Sequence, residues 1–295
     1  MKYRRLGKTE LSVSTVGIGT WQLAGGWDKH FLQPEVDRIF SRAQELGINF
    51  VDTAECYGGE HLSERLVGNS IKGNRDRWVI ATKFGHNHSN GLSDENYRGA
   101  QVLIQLEASL RALQTDYIDV YQIHSATDDL FNNDELWTML DKQVQAGKVR
   151  WLGNSIGMPQ MRKQVFKSSE YGISVLQTIY NAVNSKAQEI LFPSAQKQDL
   201  GIIARVPLAS GFLSGKYQPG HEFPATDVRS MRPQAGLDRE VGAALELLRD
   251  KPDGMAAASW ANAWCLSSPQ VASVIPGIKS LEQLEINALA GDIVL

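Results

Sequence analysis

The stretch NFVDTAECYGGEH (residues 49–61) decides how this chain is read. Residues 49–52 close a short apolar strand, GINFVD, after which the chain breaks into small and polar residues before a helical pattern resumes. A strand whose C-terminal end opens into a polar loop is where barrel and open-sheet enzymes place their chemistry. Asp52 and Tyr57 are therefore candidates, and the repeats on either side say which architecture carries them.

Upstream, PEVDRIFSRAQELG (34–47) sets Val36, Ile39, Phe40, Ala43 and Leu46 on one helical face, with Pro34 in its first turn and Gly47 as its C-terminal cap. Downstream, GGEHLSERLVGNSI (58–71) reads as a helix, RWVIATK (77–83) as a strand and GAQVLIQLEASLRAL (99–113) as a helix with Val102, Leu103, Leu106, Leu110 and Leu113 in register. Strands DYIDVYQIH, KVRWLGN, ISVLQTI, GIIARV and VASVIPG then alternate with helices NDELWTMLDKQVQAG, MPQMRKQVFKSS, SKAQEILFPSAQKQ, DGMAAASWANAWCL and SLEQLEINALA. Counting STVGIGT (14–20), eight strands each precede a helix. Repeated βα units demand parallel strands with right-handed crossovers, and eight can close into a (β/α)8 TIM barrel. An open dinucleotide-binding sheet is the rival, but GIGTWQ carries Gln22 where its third glycine belongs. The expectation is one barrel domain over residues 1–295. YRRLGKTELSV (3–13) forms an N-terminal β-hairpin plugging its bottom, and residues 209–236 begin a helical and loop insertion after the seventh barrel strand.

Composition narrows the function. The chain has 42% apolar and 21% charged residues, ordinary for a globular protein. No run of about 18 apolar residues exists to cross a membrane, and the charged N-terminus lacks the apolar centre of a signal peptide. With a net charge of −3 and scattered Lys and Arg, nucleic acid is not expected as a partner. Cys56 and Cys265 lie too far apart in sequence to suggest a disulfide framework, so a reducing cytoplasm is expected. Cys56 reads as a small filler rather than a nucleophile. The HNH run (86–88) lacks further clustered ligands, and no metal is expected. The sequence says nothing of oligomeric state.

In a barrel the strand ends collect at one mouth. They are Trp21, Asp52, Lys83, His124, Asn154 with Ser155, Gln177, Arg205 and PGIKS (276–280). Tyr57, five residues past Asp52, can fold back over that mouth. An ammonium beside a phenol stabilises tyrosinate and is expected to lower the phenol pKa, while a carboxylate holds the ammonium in place. A neutral His beside them donates to a carbonyl oxygen. The plainer alternative is an Asp52–Lys83 ion pair that ties two strands. A Schiff-base role for Lys83 is disfavoured, because Asp52 keeps it protonated. Trp21 and Trp27 are candidate walls of a substrate pocket.

These residues carry a resemblance. In VDTAECYG, ATKFG, YQIHS, LQTIYN, RVPLASGFLSGKY and IPGIKSLEQLEINALA the chain resembles the aldo-keto reductases along essentially its whole length. The resemblance implies a catalytic set of Asp52, Tyr57, Lys83 and His124, with Tyr57 the acid and a small carbonyl compound the substrate. It also implies NADP(H), held by Gly19, Thr20 and Trp21 after the first barrel strand, by Asp52, and by Ser155, Gln177 and Arg205. Pro207, Leu208, Ser210, Gly211, Leu213 and Lys216 belong to the same implied set, as does Gly277. At the adenosine end it names Lys279, Ser280, Gln283 and Asn287, with a 2′-phosphate among their contacts. Two positions depart from the pattern: Ile156 stands where relatives carry an Asn, which leaves Asn154 to compensate, and Ile286 replaces an acidic residue. The chain ends at Leu295, shortly after its last helix, so an open, permissive pocket is expected. A second reading from the same resemblance is a cofactor-binding regulatory subunit, similar to potassium-channel β subunits.

Overall fold

Alternating β-branched runs and amphipathic helices resolve into a closed parallel barrel. The computed structural model describes residues 1–86, 94–157 and 161–295. An antiparallel hairpin, β1 (Tyr3–Arg5) and β2 (Ser12–Ser14), comes first. Eight strands follow: β3 (Ile18–Gly19), β4 (Phe50–Asp52), β5 (Val79–Phe84), β6 (Ile118–His124), β7 (Val149–Ser155), β8 (Ile173–Ile179), β9 (Gly201–Arg205) and β10 (Val271–Ile275). Each pairs in parallel with the next in sequence, and parallel bridges Val16–Val274 and Gly19–Gly277 join the last strand to the first.

The outward side chains of these strands meet the helices. Val51, Ile80 and Tyr121 pack with Val36, Ile39 and Phe40 of α1 (Gln33–Glu45), with Val67 of α2 (Leu62–Ile71) and with Leu106 of α3 (Gly99–Leu113). The short α4 (Asp128–Phe131) precedes α5 (Asp134–Gln145), and α6 (Arg162–Phe166) follows β7. Inward side chains form a separate cluster: Phe50, Ala81, Val120, Val175 and Ile203 pack on Leu6 and Val13 of the hairpin. The hairpin is the barrel's bottom plug, as its sequence suggested. Among the described residues no helix is long and apolar enough to cross a membrane.

One element differs from the sequence reading, and another gains its bounds. SKAQEILFPSAQKQ is two helices, α7 (Lys186–Ile190) and α8 (Phe192–Lys197), because Pro193 has no N–H to continue the ladder. The insertion, expected as helix and loop without bounds for its helix, holds α9 (Gln234–Leu247), which buries Leu237, Val241 and Ala244 against Phe212, Leu213 and Trp260. Gly236 and Gly242 lower the local helix propensity, so tertiary burial decides it. α10 (Ala257–Ser267) and α11 (Leu281–Leu289) complete the chain.

Gly7 is the tightest point of the plug. Its φ is +59°, and a Cβ there would lie 2.0 Å from the Gly201 backbone nitrogen. Neither backbone can yield. Gly147 has a comparable φ of +76°, but a Cβ there would meet no atom within 4 Å. Gly7→Ala is expected to lower the unfolding free energy by roughly 3 kcal/mol or more, against about 1 kcal/mol for Gly147→Ala. Urea denaturation of both variants measures this; equal losses would mean that the plug accommodates a side chain.

Candidate active site

Side chains alternate across a strand, so the residue two places beyond each inward apolar residue also points into the barrel. Above Phe50, Ala81, Val120, Val175 and Ile203 stand Asp52, Lys83, Gln122, Gln177 and Arg205. A polar layer thus lies directly over an apolar one.

Lys83 has no solvent exposure. Its Nζ donates to Asp52 Oδ1 at 2.6 Å, to the Thr53 carbonyl at 2.8 Å and to the Tyr57 hydroxyl at 3.3 Å. The second oxygen of Asp52 accepts from Gln177 Nε2 at 2.6 Å and from Gln122 Nε2 at 3.2 Å. Ser155 Oγ donates to Gln177 Oε1 at 3.2 Å. His124 lies beside Tyr57, with ring centroids 6.3 Å apart, and Cys56 Sγ is 3.7 Å from His124 Nδ1. The Tyr97 hydroxyl and His86 Nε2 both reach the His124 carbonyl, at 2.6 and 2.8 Å.

Burial works against a charged Lys83, but Asp52, Tyr57 and their hydrogen bonds together hold its pKa above the usual value. For His124, burial, Lys83, His86 and Arg205 all push the pKa well below 6.5, leaving a neutral ring. Tyr57 corrects the sequence reading. Lys83 does pull its pKa down, but burial outweighs that pull and the net direction is upward. The phenol keeps its proton at neutral pH.

These groups open onto a cavity of about 810 Å³ at the strands' C-terminal ends. Asp52, Tyr57, His124 and Gln177 line it, as do Gly19, Thr20, Trp21 and Trp27. Arg205, Pro207, Leu208, Ser210, Gly211 and Lys216 line it from the β9 side, and Gly277, Lys279, Gln283 and Asn287 from the β10 side. Three expected contacts stand back from the wall. Ser155 is buried behind Gln177, Leu213 packs in the α9 cluster, and the Ser280 hydroxyl caps α11 by accepting from Gln283 N at 3.2 Å. Nor does Asn154 compensate for Ile156. Strand parity turns Asn154 outward to Gln164 on α6, while Ile156 is buried in the outer core.

Sequence reasoning passed over Gln122 and Arg229. Gln122 was legible in principle, since YQIHS places it inward by the same parity as His124. Arg229 was not, because its meaning depends on loops distant in sequence. It donates to both oxygens of Asp227 (2.9 and 2.7 Å) and to the Ser210 carbonyl (3.0 Å), and lies over the Phe223 ring at 4.0 Å. Asp227 in turn bridges Trp27, and Val228 N donates to the Gly26 carbonyl at 2.7 Å. The loop after β3 and the insertion are thereby joined at the rim of the cavity. Beyond β9 the chain turns through left-handed conformations at Val206 (φ +57°), Ala209 (+47°) and Ser210 (+59°). A β-branched residue there is strained, and strain of this kind collects where a loop must meet a ligand.

Comparison with known proteins agrees with this fold. The model of the Aldo/keto reductase family matches residues 15–295, and the chain belongs to that family. It is 32% identical to the uncharacterized oxidoreductase YrpG of Bacillus subtilis, covering 100% of this chain and 92% of that one. It is 30% identical to L-glyceraldehyde 3-phosphate reductase of Escherichia coli K12, over 98% of this chain and 87% of that one. Aldo-keto reductase AKR11C1 from Bacillus halodurans, in its holo form, superposes with a TM-score of 0.81 at 30% identity, covering 100% of this chain and 92% of that one.

A buried ion pair has an asymmetric response to mutation. Removing one partner strands a charge and typically costs about 3–5 kcal/mol, whereas removing both can be nearly neutral. Lys83→Met should therefore destabilise the fold by that amount, and the double variant Asp52→Asn/Lys83→Met by distinctly less. Denaturant unfolding of the two single variants and the double variant measures the coupling. Additive losses would show that Asp52 and Lys83 do not act as a pair.

Proposed function

We propose that this member of the aldo/keto reductase family reduces aldehydes or ketones to alcohols with NADP(H), with Tyr57 as general acid. The observation that carries the reading is the Lys83 ammonium, held by Asp52 and placed 3.3 Å from a protonated Tyr57 on the cavity wall.

The cavity suits a polar, extended cofactor. Asn287 Nδ2 and Arg205 Nε are buried at its wall with no hydrogen-bond partner among the described residues, and buried donors of this kind call for an acceptor from a ligand. At Gly277 a Cβ would lie 2.1 Å from the Gln22 side-chain oxygen, so a larger residue there would have to displace Gln22 on the cavity wall. Lys279, Gln283 and Asn287 would hold the adenosine end, and Gln177 and Arg205 the nicotinamide end. A reduced nicotinamide bound in this place would supply the hydride for the substrate's carbonyl carbon. The protein supplies the rest. Tyr57 passes its hydroxyl proton to the carbonyl oxygen as negative charge develops there. Lys83 then stabilises the tyrosinate, and Asp52 keeps Lys83 charged. The neutral His124 donates an N–H to the same oxygen, favouring the more charged transition state. Trp21 and Trp27, edge to face at 4.9 Å, wall the substrate side and limit water. A regulatory subunit with little turnover would not need this proton-donating set, so catalysis is preferred.

Tyr57→Phe should reduce turnover by about 10²–10⁴-fold, the usual contribution of general acid catalysis. NADPH binding, followed by fluorescence titration, should be nearly unchanged. A variant that keeps its turnover would place the acid elsewhere.

Lys279 carries the expected preference for NADPH. Its ammonium donates to the Trp27 carbonyl, and the residue immediately precedes Ser280, the N-cap of α11. A charge-assisted bond to a 2′-phosphate contributes about 1.5–3 kcal/mol. Lys279→Met should therefore weaken NADPH binding roughly 10- to 100-fold and leave NADH nearly unaffected. Equal losses for both would reduce Lys279 to a strut for the Trp27 loop.

A further inference from the structure

We propose that Cys56, His86 and His124 form a binding site for Zn²⁺ at the mouth of the cavity, and that filling it switches off turnover. All three line the cavity and are partly exposed, and their ligand atoms lie within 4.8 Å of one another. They come from separate places: Cys56 from the loop after β4, His86 from just beyond β5, and His124 from the end of β6. In sequence the HNH run, His86 to His88, lacks clustered ligands, and no metal was expected there. His88 lies outside the described residues, and the partners that the fold brings to His86 are distant in sequence.

One edge of a tetrahedral site already exists. Zinc holds sulfur at about 2.3 Å and nitrogen at about 2.05 Å, which sets two such ligands roughly 3.6 Å apart. Cys56 Sγ and His124 Nδ1 are separated by 3.7 Å. The His86 ring stacks on His124 with centroids 4.2 Å apart and its ligand atom lies within 4.8 Å of the other two, so it must turn out of that stack, where its Nε2 meets the His124 carbonyl, to close the third side. One sulfur and two imidazoles suit a borderline-soft cation and are a poor set for Mg²⁺ or Ca²⁺. Three protein ligands leave a fourth position for water from the cavity.

The nearby charges are mixed. Lys83 and Arg205 oppose a cation at His124, whereas Glu55 and Glu64 face Cys56. Coordination breaks the Cys56 S–H bond: the proton goes to solvent, the sulfur electron pair binds the metal, and no oxidation occurs. Burial pushes the thiol pKa up to about 12, so losing this proton is the main cost, and a bound dication offsets it by stabilising the thiolate. Coordination through Nδ1 leaves His124 its Nε2 N–H, but it pins the ring to Cys56 and His86 and puts the metal with its water in the cavity beside Tyr57, in the space a carbonyl substrate would enter. That consequence rests on the proposed reductase reading; the coordination does not.

The test uses the untagged full chain and Co²⁺, whose bonds to thiolate give a near-ultraviolet charge-transfer band and whose tetrahedral sites give visible bands. Cys265 is fully buried and its thiol donates to the Tyr180 carbonyl, so a thiolate band reports Cys56. Wild type should show the band at one equivalent, and Zn²⁺ but not Mg²⁺ should abolish it. Cys56→Ser should lack the band. His86→Ala should bind Co²⁺ at least about 10-fold more weakly, since even second-shell losses reach that size. No band in folded wild type, or a band that persists in Cys56→Ser, overturns the site. Zn²⁺ should also inhibit carbonyl reduction until a chelator is added. Full turnover with Zn²⁺ bound overturns the switch, and a chain with no turnover at all overturns the reductase reading while the spectra still decide the site.

Discussion

A fully buried ammonium at the end of β5 sets the terms for everything around it. An uncompensated charge in that position would cost several kcal/mol, so Lys83 requires a carboxylate, and the carboxylate requires donors for its second oxygen. Asp52 meets the first demand, and Gln122 with Gln177 meets the second. Ser155 extends the same network behind Gln177. Side chains from five adjacent strands, β4 to β8, are thereby committed to holding one proton-rich point. Tyr57 reaches that point from outside the sheet and takes the one remaining contact to Lys83 that faces the cavity.

That network can exist because the barrel's register stacks it on a rigid floor. Phe50, Ala81, Val120, Val175 and Ile203 fill the layer beneath, and the hairpin seals them from below through Leu6 and Val13. A one-residue slip in any strand would exchange its inward polar residue for an outward one. The apolar floor and the polar layer therefore specify each other. The floor fixes where Lys83 stands, and the cost of exposing Lys83 to an apolar neighbour penalises the wrong register.

The same parity explains what could be read from the sequence. Strand ends are countable, so Asp52, Lys83, His124, Gln177 and Arg205 were legible together, with Tyr57 following from its distance to Asp52. Side-chain direction near an irregular exit is harder to read. Asn154 and Ser155 are neighbours, and only the structure shows that Ser155 faces Gln177 while Asn154 faces α6. The bounds of α9 escaped because its two glycines argue against a helix, whereas its buried face appears only once Phe212 and Trp260 are in place. The direction of the Tyr57 pKa escaped for a related reason. The Lys83 charge can be read from sequence, but the desolvation that overrides it depends on packing.

The cations at the β10 side of the cavity follow the same logic of pairing. Lys29 is matched to Glu35, and Arg229 is chelated by Asp227 and enclosed by the Phe223, Tyr217 and Trp27 rings. Both are spent on holding loops. Lys279 differs: among the described residues its ammonium donates to a neutral carbonyl, that of Trp27, and forms no ion pair. Burial, together with repulsion from Arg229 and Lys29, lowers its pKa, although Asp227 and Asp28 partly oppose this. An ammonium in that state gains more from an arriving anion than one already neutralised by a carboxylate. The pairing of its neighbours is thus what singles out Lys279 as the group at this end of the cavity with charge left for a ligand.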